Sequence, residues 1–396
     1  MWKRSKNGLR AWIWKNKTEK GRAEAFPLFS IRNFLRYETH KATAASNNLC
    51  IIGVSELLRK KREKNGAIGT EMISVCMATY NGEAYIEKQL CSILFQTCKA
   101  DEVILCDDGS TDQTVLLMQR FIEKFDLKDE WKLVQNPEKK GYPGNFYYAM
   151  SLCRGDYVFL ADQDDIWDER KLEHMSRALE EHPDAAVVSC KFGLIDAQGE
   201  ILHTMLLPVR SKESGKLTKV SLKDVFYKYQ WPGMTLVYRN DWYRNRIAQQ
   251  KGWNKAAEEQ ADACACTLPH DFHLCAKAAE EGRLLQLDEI LAWHRRHEKN
   301  TGKEEHHVST LLGRERKLQE IREYLKNLWE LENGGILETE EGKRTLEDKK
   351  ASMLLREEAL EKKSIGKVLQ YAMKYHNYVR PATIVCDLLI LLLKRV

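Results

Sequence analysis

Three aspartates stand within four positions in Asp162-Gln163-Asp164-Asp165. Carboxylates this close repel one another unless a cation sits among them. A hard divalent cation is the natural partner, because Mg2+ and Mn2+ choose carboxylate oxygens. The competing explanation is an exposed acidic turn that caps the next helix. A second acidic turn, Asp107-Asp108-Gly109-Ser110-Thr111-Asp112, also reads two ways. Asx-Gly geometry and N-capping account for Asp108, Gly109 and Asp112. A carboxylate there would equally accept hydrogen bonds from a ribose or a base. Cys264, Cys266, His270, His273 and Cys275 crowd into one short stretch and could bind zinc. Their spacing matches no common finger, and helix-packing thiols are the better explanation. The chain has no G-x-x-x-x-G-K-[ST] loop and no G-x-G-x-x-G after a strand, which disfavours ATPase and dinucleotide chemistry.

Regular elements must position these residues. Residues 73–78 form a β-rich run that ends in the turn Thr79-Tyr80-Asn81-Gly82. Ile86, Leu90, Ile93 and Leu94 then recur at helical spacing. Residues 102–106 read as a second strand, and Asp112 is placed to cap the helix carrying Val115, Met118 and Ile122. A third strand over 131–135, a helix over 143–153 and an apolar strand over 157–161 follow. A charged helix over 168–181 and a fifth strand over 186–190 complete the pattern. Such alternation predicts an α/β fold with a mainly parallel central sheet and helices on both faces. In such sheets ligands bind beyond the carboxyl ends of the strands. Two of those ends carry the acidic turns, which favours the ligand reading of residues 162–165.

Residues 200–300 show no clear period. From about residue 304 the chain becomes helical and charged, with Leu311 seven positions before Leu318, and Leu318, Ile321, Leu325 and Leu328 spaced three or four apart. Gly334-Gly335 predicts a break between two helices. Residues 384–393, followed by Lys394-Arg395, predict a helix that packs on a core or partner, with a membrane surface as the alternative.

Composition bounds the rest. The chain has 396 residues, 43% hydrophobic and 31% charged, which is the balance of a globular protein. No uncharged apolar run approaches the roughly 20 residues of a membrane span. Eleven scattered cysteines suit reduced thiols in a cytoplasm. The net charge of +5 is uneven: residues 1–70 hold 16 Lys or Arg against 5 Asp or Glu, so the remainder is negative. The leader reads as a solvated extension or, through Trp2, Trp12 and Trp14 beside lysines, as a lipid contact. It also reads as the product of an upstream start codon, with Met72 heading the first strand. The negative body argues against a broad nucleic-acid surface.

Ser74-Val75-Cys76-Met77-Ala78-Thr79-Tyr80-Asn81-Gly82, with the two acidic turns and Ile166-Trp167 after the second, resembles the family 2 glycosyltransferases of the GT-A nucleotide-diphospho-sugar transferase fold. The resemblance is strong over residues 72–190 and weaker to about 302. It implies a GT-A domain over 71–302, which leaves the basic N-terminal extension over 1–70 and the helical C-terminal region over 303–396. It places Thr79, Tyr80 and Asn81 beside the base and ribose, Asp107 and Asp108 at the base, and the segment from Gly141 to Asn145 over the nucleotide. The family's D-x-D motif falls on Asp162 and Asp164. Asp164 would bind Mg2+ or Mn2+, and Asp162 would lie near the ribose or the metal. Inverting members need a base on the acceptor side, and Asp271 in Pro269-His270-Asp271-Phe272 is the candidate; an N-cap after proline is the alternative. Arg295 and His297 match the Y-R-x-H segment of a bacterial, rhamnosyltransferase-like branch and would complete the metal or diphosphate site. His294 stands where that branch has tyrosine. Gly233, after Trp231-Pro232, resembles a segment that shapes the acceptor pocket, or else makes a tight turn. The implied activity is metal-dependent, inverting transfer from a UDP- or dTDP-sugar to a hydroxyl of a bacterial surface glycan on a lipid carrier, at the cytoplasmic face of the membrane. The alternative is a non-catalytic nucleotide-sugar-binding scaffold on the same fold.

Overall fold

The computed structural model describes residues 70–202, 215–228, 231–249, 267–297 and 313–393. The expectations for residues 1–69, and for Cys264 and Cys266, lie outside the described residues.

The first half alternates as its hydrophobic pattern dictates. Strands β1 (Ile73–Thr79), β2 (Glu102–Asp107), β3 (Trp131–Gln135) and β4 (Tyr157–Asp162) alternate with helices α1 (Ile86–Leu94), α2 (Thr114–Lys124) and α3 (Gly141–Leu152). A two-residue strand β5 (Ile166–Trp167), helix α4 (Lys171–Glu181) and strand β6 (Val187–Ile195) follow. Next come β7 (Leu217–Lys219), α5 (Leu222–Lys228), β8 (Leu236–Arg239), α6 (Asn240–Arg246), α7 (His270–Glu280) and β9 (Leu284–Arg295).

These strands form one sheet in the order β3-β2-β1-β4-β8-β6-β9-β5, with β7 also on β9. β1 is parallel to β2 and β4, and β2 to β3. Beyond β4 the pairing turns mixed: β8 runs antiparallel to both β4 and β6, while β6 and β9 are parallel. The sequence predicts the parallel half well. The other half is built largely from the stretch that carried no clear period, because β9 pairs residues nearly a hundred positions away in β6.

Both faces of the sheet are covered, so its strands are apolar on both sides. Val75, Met77, Val103, Leu105, Phe159 and Ala161 point toward α1, α2 and α4, and pack with Leu90, Met118 and Met175. Cys76, Ile104, Val158 and Leu160 point the other way, toward Met150, Phe226 and Phe272.

Helices α8 (Arg314–Asn333), α9 (Glu340–Glu361), α10 (Ile365–Lys374) and α11 (Pro381–Leu392) form the C-terminal region. Gly334 and Gly335 separate α8 from α9 as predicted, and Gly335 takes φ +62°. Leu318, Ile321, Leu325 and Leu328 of α8, with Leu346 and Met353 of α9, join the same core as Phe226 and Phe272. Buried Lys277 ties α7 to the α8–α9 link by donating to the Ile336 carbonyl at 3.0 Å, and pairs with Glu280 of its own helix, also at 3.0 Å. The predicted boundary at 302/303 is therefore crossed by a continuous core. Helix α11 packs Ile384, Leu388 and Leu391 on a small C-terminal cluster and Ile390 and Leu391 on the main core.

Candidate active site

The carboxyl ends of β1, β2 and β4 meet at one sheet edge. In register, Thr79 faces Asp107 on one side and Ala78 faces Asp162 on the other. Parallel pairing alone thus gathers three motifs that are 28 and 55 residues apart in sequence.

Asp107 closes its own turn. It accepts from the Gly109 and Ser110 amides at 3.1 and 2.8 Å and from the Thr79 hydroxyl at 3.0 Å. Gly109 holds φ +78°, a conformation that suits glycine. Asp108 reaches the other way. It accepts from the Asn136 side chain at 2.9 Å and from the backbone N–H groups of Lys140 and Gly141, each at 2.7 Å. It thereby holds the start of α3. Asn81 joins the two turns: its N–H donates to the Ser110 hydroxyl, and its side-chain carbonyl accepts from Thr111 N–H at 2.8 Å. Asn145 is buried, donates to the Cys106 carbonyl at 3.0 Å and accepts from Asn136 at 2.8 Å, so it braces β2. Tyr80 is exposed, with the Lys139 ammonium 3.7 Å from its ring centre.

The acidic loop between β4 and β5 is held from both sides. Gln163 exchanges two hydrogen bonds with the Tyr80 backbone, at 2.9 and 3.0 Å. Asp164 Oδ2 lies 2.8 Å from His297 Nε2, whose ring sits against Tyr85. Asp165 is fully buried; it accepts from Arg295 N–H at 2.9 Å and lies 3.0 Å from His294 Nδ1. His294, at the tyrosine position of the related branch, thus anchors the loop from β9. Arg295 has no exposed surface. Its guanidinium donates to the carbonyls of Asp164, Asp196 and Ala197 at 2.7, 3.1 and 3.2 Å. It stands behind the loop rather than in front of it and positions Asp164.

Burial drives the Asp162 carboxyl well above the usual range, and the charges of Asp165, Asp164 and Asp271 push it further. Lys171 opposes them from beneath. This lysine is fully buried, lies over the Trp167 ring at 3.8 Å and donates to the Met234 carbonyl. Burial lowers its pKa to about 8. As the first residue of a charged helix it carries no signal in the sequence.

Asp271 is buried in the first turn of α7. Pro269 is the N-cap, so the capping explanation for Asp271 fails: the carboxylate belongs to the second helical residue and accepts from Phe272 N–H at 2.8 Å. The first turn of a helix favours a negative charge. Asp271 lies within electrostatic reach of both Asp162 and Tyr142. Beside it, buried His270 stacks on Phe146 at 4.0 Å between ring centres and meets Tyr142 edge-on at 5.8 Å. Burial lowers the His270 pKa to about 4, which keeps the ring neutral. Gly233 lies directly against that ring, since a Cβ there would come within 2.6 Å of Nε2.

Of the zinc constellation, His273 sits 3.2 Å from the Tyr147 hydroxyl and Cys275 is buried in the core. Among the described residues no three His, Cys, Asp or Glu side chains are assembled to hold a metal. Mg2+ needs fewer protein ligands, because it binds through one or two carboxylates plus substrate phosphates. Asp164 supplies one such carboxylate, 2.8 Å from His297 Nε2.

Residues 74–244 match the family model described as Glycosyl transferase family 2. The chain is 35% identical over 127 residues to the EpsE protein of Bacillus subtilis, covering 32% of this chain and 45% of that one. It is 33% identical over 102 residues to the UDP-Glc:alpha-D-GlcNAc-diphosphoundecaprenol beta-1,3-glucosyltransferase WfgD of Escherichia coli, covering 26% and 38%. It is 34% identical over 102 residues to the dTDP-rhamnosyl transferase RfbG of Shigella flexneri, covering 25% and 35%. Each match therefore spans less than half of the relative. Among solved structures, S. aureus TarS aligns with a TM-score of 0.48 at 18% identity, over 81% of this chain and 52% of that one. With the motifs gathered at one sheet edge and the matched segment running through them, the chain carries a glycosyltransferase family 2 domain over residues 74–244.

Proposed function

We propose that this protein is an inverting glycosyltransferase that moves a sugar from a UDP- or dTDP-sugar to a hydroxyl of a bacterial surface glycan precursor. The observation that carries this reading is the register that gathers Thr79, Asp107 and Asp162 at one end of the sheet, with Asp271 within electrostatic reach of Asp162. Asp271 takes the proton from the acceptor hydroxyl as its oxygen bonds to the anomeric carbon. The bond from that carbon to the diphosphate oxygen breaks, and the nucleoside diphosphate leaves with the electron pair. Asp164 and His297 would hold Mg2+ or Mn2+, which supplies charge neutralisation to the diphosphate. Asp108 is the better base contact of the acidic pair: its Oδ2 carries one hydrogen bond, whereas Asp107 is fully used by its own turn. Tyr80 and Asn81 line the nucleotide side, and Gly233 with His270 shapes the acceptor side. The relatives' names support nucleotide-sugar donors and, for WfgD, a diphosphoundecaprenol acceptor. An acceptor of that class locates the reaction at the cytoplasmic membrane face.

Purified protein with Mn2+ and a panel of UDP-, dTDP- and GDP-sugars tests this. Nucleoside diphosphate release from one donor, lost in Asp164→Ala and Asp271→Asn, is expected. Metal-dependent donor binding without release, even with diphosphoundecaprenol-linked acceptors, would instead make the protein a nucleotide-sugar-binding scaffold.

A further inference from the structure

Helices α10 and α11 each leave an apolar stripe in solvent. On α10 it is Ile365, Leu369 and Met373, one turn apart, with Met373 73% exposed. On α11 it is Val385, Leu389 and Leu392, continued by Leu393, with Leu392 60% exposed. Apolar side chains in this number and order are not the scattered exposure of an ordinary surface. Within the segment itself the charge is one-sided. Residues 362–396 contain seven Lys or Arg and one acid, Asp387. That acid is turned inward: it is fully buried, accepts from Arg356 at 2.7 and 3.0 Å and from the Tyr371 hydroxyl at 2.6 Å. Lys362 and Lys367 pair with Glu358 of α9 at 2.6 and 2.7 Å, while Lys363 and Lys374 are exposed beside the stripes, and no acid within 362–393 is exposed.

We propose that α10 and α11 dock on the surface of an anionic phospholipid bilayer, with the two apolar stripes entering the acyl boundary and the lysines and arginines meeting the head groups. The like charges disfavour a second copy of this chain as the occupant. The helices lie on the bilayer rather than span it. Twelve residues of α11 reach about 18 Å at 1.5 Å per residue, against a hydrocarbon core about 30 Å thick. Among the described residues no helix is long and apolar enough to cross a membrane. This inference needs no catalytic activity, so it stands or falls apart from the transferase reading.

The full chain is to be sedimented with phosphatidylcholine vesicles, with and without phosphatidylglycerol. Wild type should bind the anionic vesicles and release at high salt. Leu369→Glu/Met373→Glu and Leu389→Glu/Leu392→Glu should each weaken binding at least about tenfold, since each removes two inserted apolar groups. Thermal unfolding should be unchanged, because all four positions are exposed. Failure of wild type to bind anionic vesicles would overturn the proposal. Undiminished binding by both variants would do the same and move lipid contact elsewhere, the basic leader first. A dimer in solution that the substitutions dissolve would assign the face to self-association instead.

Discussion

At the scale of single residues, the site separates groups that face substrate from groups that hold them. Arg295, Asn145 and Asp165 are buried braces, Asp164 is half-buried beside His297, and Asp271 is buried on the first turn of α7. Asp271→Asn keeps shape and hydrogen bonding but cannot take a proton. Turnover should fall by about 10²-fold or more, in the range of lost general-base catalysis, while calorimetric binding of the nucleoside diphosphate is retained. Loss of both together would remove Asp271 from the chemical step. Gly233 makes a second, steric case. In Gly233→Ala the new methyl meets His270 Nε2. Overpacking of this kind destabilises by about 1–3 kcal/mol. Adding His270→Ala should recover most of that loss in a double-mutant cycle on denaturant midpoints. Additive losses would show that the two residues do not touch.

At the scale of elements, α9 carries a buried charge with a predictable pH signature. Lys349 donates to the Tyr378 carbonyl at 2.9 Å, and burial, aided by Arg356 and Arg380, lowers its pKa to about 7. Between about 7 and the ordinary lysine value of 10.5 the unfolded chain binds the extra proton. The lysine's contribution to stability therefore rises with pH across that window. Lys349→Met should flatten this rise in urea unfolding measured at a series of pH values, by up to a few kcal/mol over the window. An unchanged slope would mean that the ammonium is solvated in the folded protein. The same element shows what local pattern can reveal. The break at Gly334-Gly335 and the apolar spacing of α8 are legible in the sequence, but a lysine on a charged helix gives no sign of burial.

At the scale of the whole molecule, the sheet and the C-terminal helices share one core. Phe272 and Phe226 pack in the same cluster as Leu325 and Leu328, and Phe272 meets Tyr324 at 5.8 Å between ring centres. Cutting the chain after residue 302 would expose these side chains, each worth about 1.5–3 kcal/mol when buried. Residues 71–302 alone should be insoluble or unfolded, and the full chain should melt in one transition over the described region by calorimetry. Two separable transitions, with a soluble, folded 71–302 fragment, would restore the boundary that composition suggests.

Some of this architecture is local and some is not. Strands β1 to β4, the helices between them and the two acidic turns follow from period and turn chemistry, because neighbouring residues decide them. The gathering of Thr79, Asp107 and Asp162 follows as soon as the strands are taken as parallel. Tertiary structure alone decides the rest. β9 brings His294, Arg295 and His297 beneath the acidic loop only by pairing with β6 and β5. That pairing also turns Arg295 inward, toward carbonyls, where the sequence marked a cation available to a diphosphate. Lys171 and His270 acquire their depressed pKa values from burial, which no spacing encodes. Sequence period determines which residues can sit on one face; long-range pairing determines which faces meet, and so which charges lose their water.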